Sequence, residues 1–282
     1  MPIFDTPEPI FAAIELADAD VRIHASDRTD TVVEIRPKDE SDEADARSAA
    51  QTQVEYSNGR LLVRAPKSAG RPWSWWGGST EVRVELPSGS RVDARTAGDF
   101  RCEGRLGECA FSTSGGDIWL DRTGRLRLHT GDGDITVIRA GHTDATTANG
   151  EIRIREIDGS AVIKTANGDI TLGEVTGDLR LKTAYGDITV GRALAGVGAR
   201  TATGNVRVGE LVRGAVVLET SSGDVEAGVR EGTAAFLDVR TSHGTVRVSL
   251  DPCDGPGPAG DTGDTVELRA RTSNGDIVIR RS

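Results

Sequence analysis

Nine times along this 282-residue chain a threonine is followed three residues later by a glycine: Thr113/Gly116, Thr130/Gly133, Thr147/Gly150, Thr165/Gly168, Thr183/Gly186, Thr201/Gly204, Thr220/Gly223, Thr241/Gly244 and Thr272/Gly275. Successive threonines lie 17, 17, 18, 18, 18, 19, 21 and 31 residues apart, so the repeat is a period and not a composition bias. After each glycine comes an acidic or polar residue and then an aliphatic, as in Asp169-Ile170 and Asp187-Ile188. A second glycine stands six residues before the threonine in most copies, at Gly107, Gly124, Gly141, Gly159, Gly177 and Gly214. Each period is thus marked by two corners. A unit this short cannot bury its own apolar face, so its neighbours must cover it.

Between the corners the chain alternates with period two, the pattern of a half-buried strand. Leu179, Leu181 and Thr183 fall on one side and Arg180 and Lys182 on the other; beyond the turn, Ile188 and Val190 continue the inward set. Asn-Gly at Asn149-Gly150, Asn167-Gly168 and Asn274-Gly275 also signals an antiparallel hairpin. However, the residue before the glycine is Asp132, Tyr185, Thr203, Ser222 or His243 in other copies, and only the glycine is constant. That fits a corner with a single positive φ better than a type I′ turn, which needs two. A propeller blade would need about 40 to 45 residues. The pattern predicts an all-β, single-stranded β-solenoid, β-helix-like and wound right-handed, with coils of 17–19 residues.

In this reading Thr165 and Thr183 turn inward at a corner, Gly168 and Gly186 supply the positive φ, and Asp169 and Asp187 dress the turn. Stacking makes each such position a column, so Asp117, Asp134, Glu151, Asp169 and Asp187 form a carboxylate ladder at about 4.8 Å spacing. A Ca²⁺ ion could use such a ladder. The period and residue set nevertheless differ from the calcium-binding nonapeptide repeat, and acids after glycine ordinarily bond the backbone of the turn. The expectation is therefore no bound metal and no cofactor.

Outside the regular copies, residues 1–90 read as irregular strands with a short helix or loop at 41–53, capping the solenoid that occupies residues 91–282. Two stretches break the pattern: the Gly/Pro-rich loop at 251–264, and residues 68–79 with Trp73, Trp75 and Trp76. Exposed aromatics anchor interfaces, so these tryptophans and the outward Trp119 are the candidate contact residues. Cys102 and Cys109 point inward and read as two buried thiols, with Cys253 alone in a loop; the three do not match zinc-ligand spacing.

Catalysis finds little support. His24, His129, His142 and His243 fall in different columns, no Gly-x-Ser-x-Gly motif occurs, and Gly131-Asp-Gly-Asp134 is acidic where a bound anion would sit. The formal net charge of −10 argues against nucleic acid and anionic lipid as partners. The amino terminus lacks a basic n-region and the chain lacks an apolar run of about 18 residues, which predicts a cytoplasmic protein without membrane insertion.

The stretch Val84-Glu-Leu-Pro-Ser-Gly-Ser-Arg-Val-Asp-Ala-Arg-Thr-Ala-Gly-Asp-Phe100 and the Gly-Asp-Ile copies after it resemble the bacterial β-strand-repeat family catalogued as domain of unknown function 4097, labelled "putative adhesin". The resemblance runs from about Glu81 to Ile279. It implies a β-solenoid and no catalytic residue or cofactor to carry across. The sequence therefore predicts a non-catalytic binding or scaffolding protein with an unknown protein or glycan partner. Its rivals are a carbohydrate-binding adhesin-like protein and, behind that, a polysaccharide-active enzyme.

Overall fold

A computed structural model describes residues 1–65, 78–250 and 264–282. The chain is all-β apart from one helix among the described residues, Glu43–Gln51. It divides into two compact units, Met1–Ala140 and Gly141–Ser282.

The second unit follows most directly from the repeat. Consecutive strands alternate between two sheets, so each strand pairs with the equivalent strand of another coil and never with its sequence neighbour. Ile152–Ile157, Ile170–Val175, Ile188–Ala193 and Val206–Leu211 lie parallel in one sheet. Thr143–Asn149, Ala161–Lys164, Leu179–Lys182 and Val197–Arg200 lie parallel in the other. The register places like on like: Ile152, Ile170, Ile188 and Val206 form one inward column, and Ile154, Leu172, Val190 and Val208 the next. All eight are at most 1% exposed. Parity explains this, because a one-residue slip would turn every inward aliphatic to solvent.

Sequence order and stacking order part company at the end of the chain. The coil made by Thr265–Asn274 and Ile277–Arg281 is inserted between the coil of Gly214–Glu219 and Val225–Val229 and that of Ala234–His243 and Val246–Ser249. The coils here do not stack in sequence order. The 31-residue threonine spacing belongs to this return.

The first unit contains the same device. The coil of Phe11–Glu15 and Ala19–Ser26 lies between the coil of Arg60–Arg64 and Thr80–Pro87 and that of Arg91–Thr96 and Phe100–Arg105. Two further coils follow, Cys109–Gly115 with Ile118–Arg122 and Leu126–Asp132 with Ile135–Ala140. The outermost coil is covered by strands of opposite direction. Gln53–Ser57 pairs antiparallel with Arg60–Arg64, and Asp30–Pro37 pairs antiparallel with Thr80–Pro87 and with Ile3–Asp5.

The helix packs on Asp30–Pro37 and Thr80–Pro87. Its N-cap Asp42 accepts the Ala44 N–H at 2.7 Å. Buried Asp45 accepts the backbone N–H groups of Asp39 at 2.9 Å and Ser79 at 2.6 Å, tying the helix to the chain entering the covered coil.

Candidate functional site

The repeated polar residues are spent on holding coil to coil. Thr183 is 3% exposed, and its hydroxyl donates to the Gly168 carbonyl at 3.2 Å; the Thr201 hydroxyl does the same to Gly186 at 3.1 Å and Thr165 to Gly150 at 3.4 Å. Gly168 and Gly186 have φ of +141° and +144°. A Cβ on Gly186 would lie 2.2 Å from the Gly168 carbonyl oxygen, so both the backbone angle and the close approach exclude a side chain.

The exposed acids also point along the stack. The Asp187 N–H donates to the Asp169 carboxylate at 2.7 Å, Asn205 N–H to Asp187 at 2.7 Å and Asp224 N–H to Asn205 Oδ1 at 2.8 Å. In the first unit Asp117 N–H donates to Asp99 at 2.9 Å and Asp134 N–H to Asp117 at 2.8 Å. In each of these steps one side-chain oxygen is committed to the amide of the neighbouring coil. Among the described residues, no group of three or more His, Cys, Asp or Glu side chains could hold a metal ion.

Outward-facing columns carry the remaining charge. In the second unit Glu174, Arg192 and Glu210 are direct neighbours on three strands. Arg192 bridges Glu174 at 3.3 Å and Glu210 at 2.8 Å. These contacts raise the Arg192 pKa, Glu210 contributing most.

In the first unit Arg83, Arg22 and Arg101 are direct neighbours on three strands, and Trp119 stands next to Arg101 on the fourth. The Arg101 guanidinium lies over the Trp119 ring, 4.8 Å from its centroid. Arg83 is paired along its own strand with Glu85 at 3.2 Å and Arg101 with Glu103 at 3.0 Å. Hydrogen bonding to Arg101 holds the Glu103 carboxyl below the usual carboxylate range. Glu85 is shared with Arg28, whose hydrogen bond lowers its pKa in the same way.

The middle strand has His24 where its neighbours have glutamate. Arg22 is exposed and makes no ion pair or side-chain hydrogen bond with any described residue. A cavity of about 400 Å³ opens here, lined by Arg22, Ile23, His24, Arg83, Arg101 and Glu103.

Trp119 is therefore half-buried under a guanidinium, and Asp117, two residues before it, is occupied by the next coil's amide. The two do not converge. Trp73, Trp75 and Trp76 lie outside the described residues. The row Arg83–Arg22–Arg101 was missed by sequence reasoning, although a signal exists: Val-Arg-Val-Glu at 82–85, Val-Arg-Ile-His at 21–24 and Phe-Arg-Cys-Glu at 100–103 are one pattern with one departure.

Nucleophile chemistry is scattered. Cys102 and Cys109 are free and buried; burial pushes the Cys102 thiol well up and the Cys109 thiol to about 12. His142 Nδ1 meets the Ser160 hydroxyl at 2.7 Å on an exposed corner, and His24 Nδ1 lies 3.7 Å from Glu103. No described helix is long and apolar enough to cross a membrane.

Among solved structures, the chain is similar to a putative adhesin from Bacteroides fragilis, at 12% identity and a TM-score of 0.42, with 99% of this chain and 95% of that one covered. It is also similar to a putative lipid binding protein from Parabacteroides distasonis, at 10% identity and a TM-score of 0.44, with the same coverages of 99% and 95%. No curated protein matches it. The family model of Toastrack DUF4097 matches residues 12–280, nearly the whole chain, and the protein belongs to that family.

Proposed function

We propose that this protein is a non-catalytic binding scaffold: a right-handed β-solenoid with coils of 17–19 residues, capped by residues 1–90, that presents its outward faces and the tryptophan-rich stretch 68–79 to a partner. The carrying observation is where the polar chemistry goes. Inward positions such as Ile170, Ile188 and Val206 are closed aliphatic columns, and the repeated Thr, Gly and Asp positions bind backbone. Outward side chains are the groups left to meet a ligand. The raised thiol pKa values of Cys102 and Cys109 favour an inert packing role over a nucleophilic one. Two unpaired buried thiols also suit a reducing compartment, and we place the protein in the cytoplasm.

Cell fractionation together with a glycan array and a pull-down tests this reading. A scaffold of this kind is recovered in the cytoplasmic fraction with a bound partner, and replacing Trp73, Trp75 and Trp76 by serine removes at least one partner from the pull-down. Recovery at the cell surface with glycan binding supports the adhesin-like reading instead. Turnover of a glycan by the purified chain contradicts both.

A further inference from the structure

We infer that the strand Ala234–His243 is a docking site for an extended segment of a partner protein, which adds to it as one more antiparallel strand. The segment turns aliphatic residues inward and, outward, sets an acid opposite Arg240 and an arginine opposite Asp238. The inference rests on the reading of this protein as a binding scaffold and names one surface and the partner chemistry that fits it.

The first support is an edge without protection. Among the described residues Ala234–His243 ends its sheet, so one side of it presents unpaired N–H and C=O groups. Edge strands are ordinarily blunted by shortness, lysine, proline, a bulge or an inward-pointing charge. This strand is ten residues long, has no lysine or proline, and keeps a constant register with Thr265–Asn274. Its inward set, Ala235, Leu237, Val239 and Thr241, is uncharged and stacks on Val266, Leu268, Ala270 and Thr272.

The first unit shows which strand fits such an edge. Asp30–Pro37 lies antiparallel on Thr80–Pro87 with Glu34 opposite Arg83 and Arg36 opposite Glu81. Ile35 stands opposite Val82 and Val33 opposite Val84, and Val33 is fully buried. The covered strand reads Glu81-Val-Arg83 and the open one Asp238-Val-Arg240, an acid, a valine and an arginine in the same order. A segment laid antiparallel on the open strand therefore meets opposite charges if it carries Glu-x-Arg, as Glu34 and Arg36 do. Opposite charges across strands are favourable and like charges are not. Asp238 is shared by Arg240 at 3.2 Å, Arg269 at 3.2 Å and Arg271 at 3.4 Å, and the guanidinium of Arg240 has donors for a second carboxylate.

The surface beside the strand supplies an anchor. Phe236 is 67% exposed and lines, with Ala215, Val217, Leu237 and Leu268, a cavity of about 540 Å³. In the register just given Phe236 faces the second residue after the partner's arginine, and an apolar side chain there buries against it. Main-chain hydrogen bonds supply affinity in this mode of recognition, and alternate side chains supply specificity.

A second copy of this chain is the competing occupant, because Asp238-Val-Arg240 is complementary to itself when reversed. A two-fold axis would, however, also lay Val246–Ser249 along itself, and its single charged residue, Arg247, would approach a like charge. A single added strand meets no such repulsion.

The probe is the fluorescein-labelled peptide Thr-Val-Val-Glu-Ile-Arg-Ile-Leu, which is residues 31–36 of the covering strand followed by two aliphatics. It is titrated into the full chain by fluorescence anisotropy. Hydrogen exchange locates it, light scattering gives the oligomeric state, and circular dichroism confirms that each variant is folded. The free chain should be monomeric with rapidly exchanging Ala234–His243 amides, and the peptide should slow them. The double variant Asp238→Arg/Arg240→Asp turns both cross-strand pairs from unlike to like and should weaken binding by about tenfold. A peptide with its Glu and Arg exchanged should bind that variant more tightly than it binds wild type. Arg192→Glu, on a strand of the other sheet, should bind as wild type. No binding, or binding indifferent to both exchanges, overturns the site and leaves the scaffold reading standing. Edge amides already protected in the free chain also overturn it: in a dimer the occupant is a second copy, and in a monomer it is another part of this chain. Turnover of a glycan by the chain contradicts the scaffold reading, while the charge exchange still judges the site.

Discussion

The outermost coils of the two units are built from the same alternating strands and finished differently. In the first unit Arg60–Arg64 and Thr80–Pro87 lie beneath antiparallel strands and a helix, and Leu61, Val63 and Val84 are 0% exposed. In the second unit Ala234–His243 and Val246–Ser249 have, among the described residues, a neighbouring coil on one side. Leu237, Val246 and Val248, which share inward columns with Leu268, Ile277 and Ile279, are 37%, 42% and 46% exposed. The difference teaches that a coil's inward residues become core only when a second layer covers them. Sequence alternation alone does not bury a side chain.

Truncation on the two coils should break the comparison most sharply. Leu61→Ala should cost about 2–5 kcal/mol, the range for a buried leucine. Val248→Ala, at the partly exposed edge, should cost about 0.5 kcal/mol or less. Urea unfolding followed by circular dichroism measures both, and equal losses would mean that the second coil is as well covered as the first.

A smaller effect should come from the cover itself. Asp45→Ala leaves the Asp39 and Ser79 amides without their acceptor, which should cost about 1–3 kcal/mol and loosen the helix before the coils beneath it. Thermal unfolding read at the helix and strand signals checks this order.

Acid should act with the smallest effect, and on the uncovered coil. The Thr245 N–H, on that coil, donates to Asp276 at 2.8 Å, and this bond holds the Asp276 carboxyl below its ordinary value. The folded-state pKa is depressed, so the stabilisation is complete above the unfolded value near about 4 and is lost as pH falls through the folded one. Protection factors of the Val246–Ser249 amides, corrected for the intrinsic exchange rate at each pH, should therefore fall below about pH 4. In Asp276→Asn that acid step should flatten.

Much of the fold was legible because stacking writes one coil's chemistry into the next. Thr183, Gly186 and Ile188 repeat in sequence because their neighbours along the stack pose the same demand each time. The stacking order was not legible. Leu268 stacks on Val216 and Ala270 on Leu218, and interchangeable inward aliphatics carry no address for their neighbour. The candidate site was half legible. Trp119 stands out as an outward aromatic, but Arg22, Arg83 and Arg101 are far apart in sequence and meet through the same out-of-order insertion, of the coil containing Ala19–Ser26.

Native-state hydrogen exchange on the second unit tests the central claim, that stacking order and cover decide which coil is core. Thr265–Asn274, paired on both sides, should be protected close to the global unfolding limit, while Ala234–His243, paired on one side, should exchange by local opening although it precedes the other strand in sequence. Stronger protection of Ala234–His243 than of Thr265–Asn274 would contradict the account.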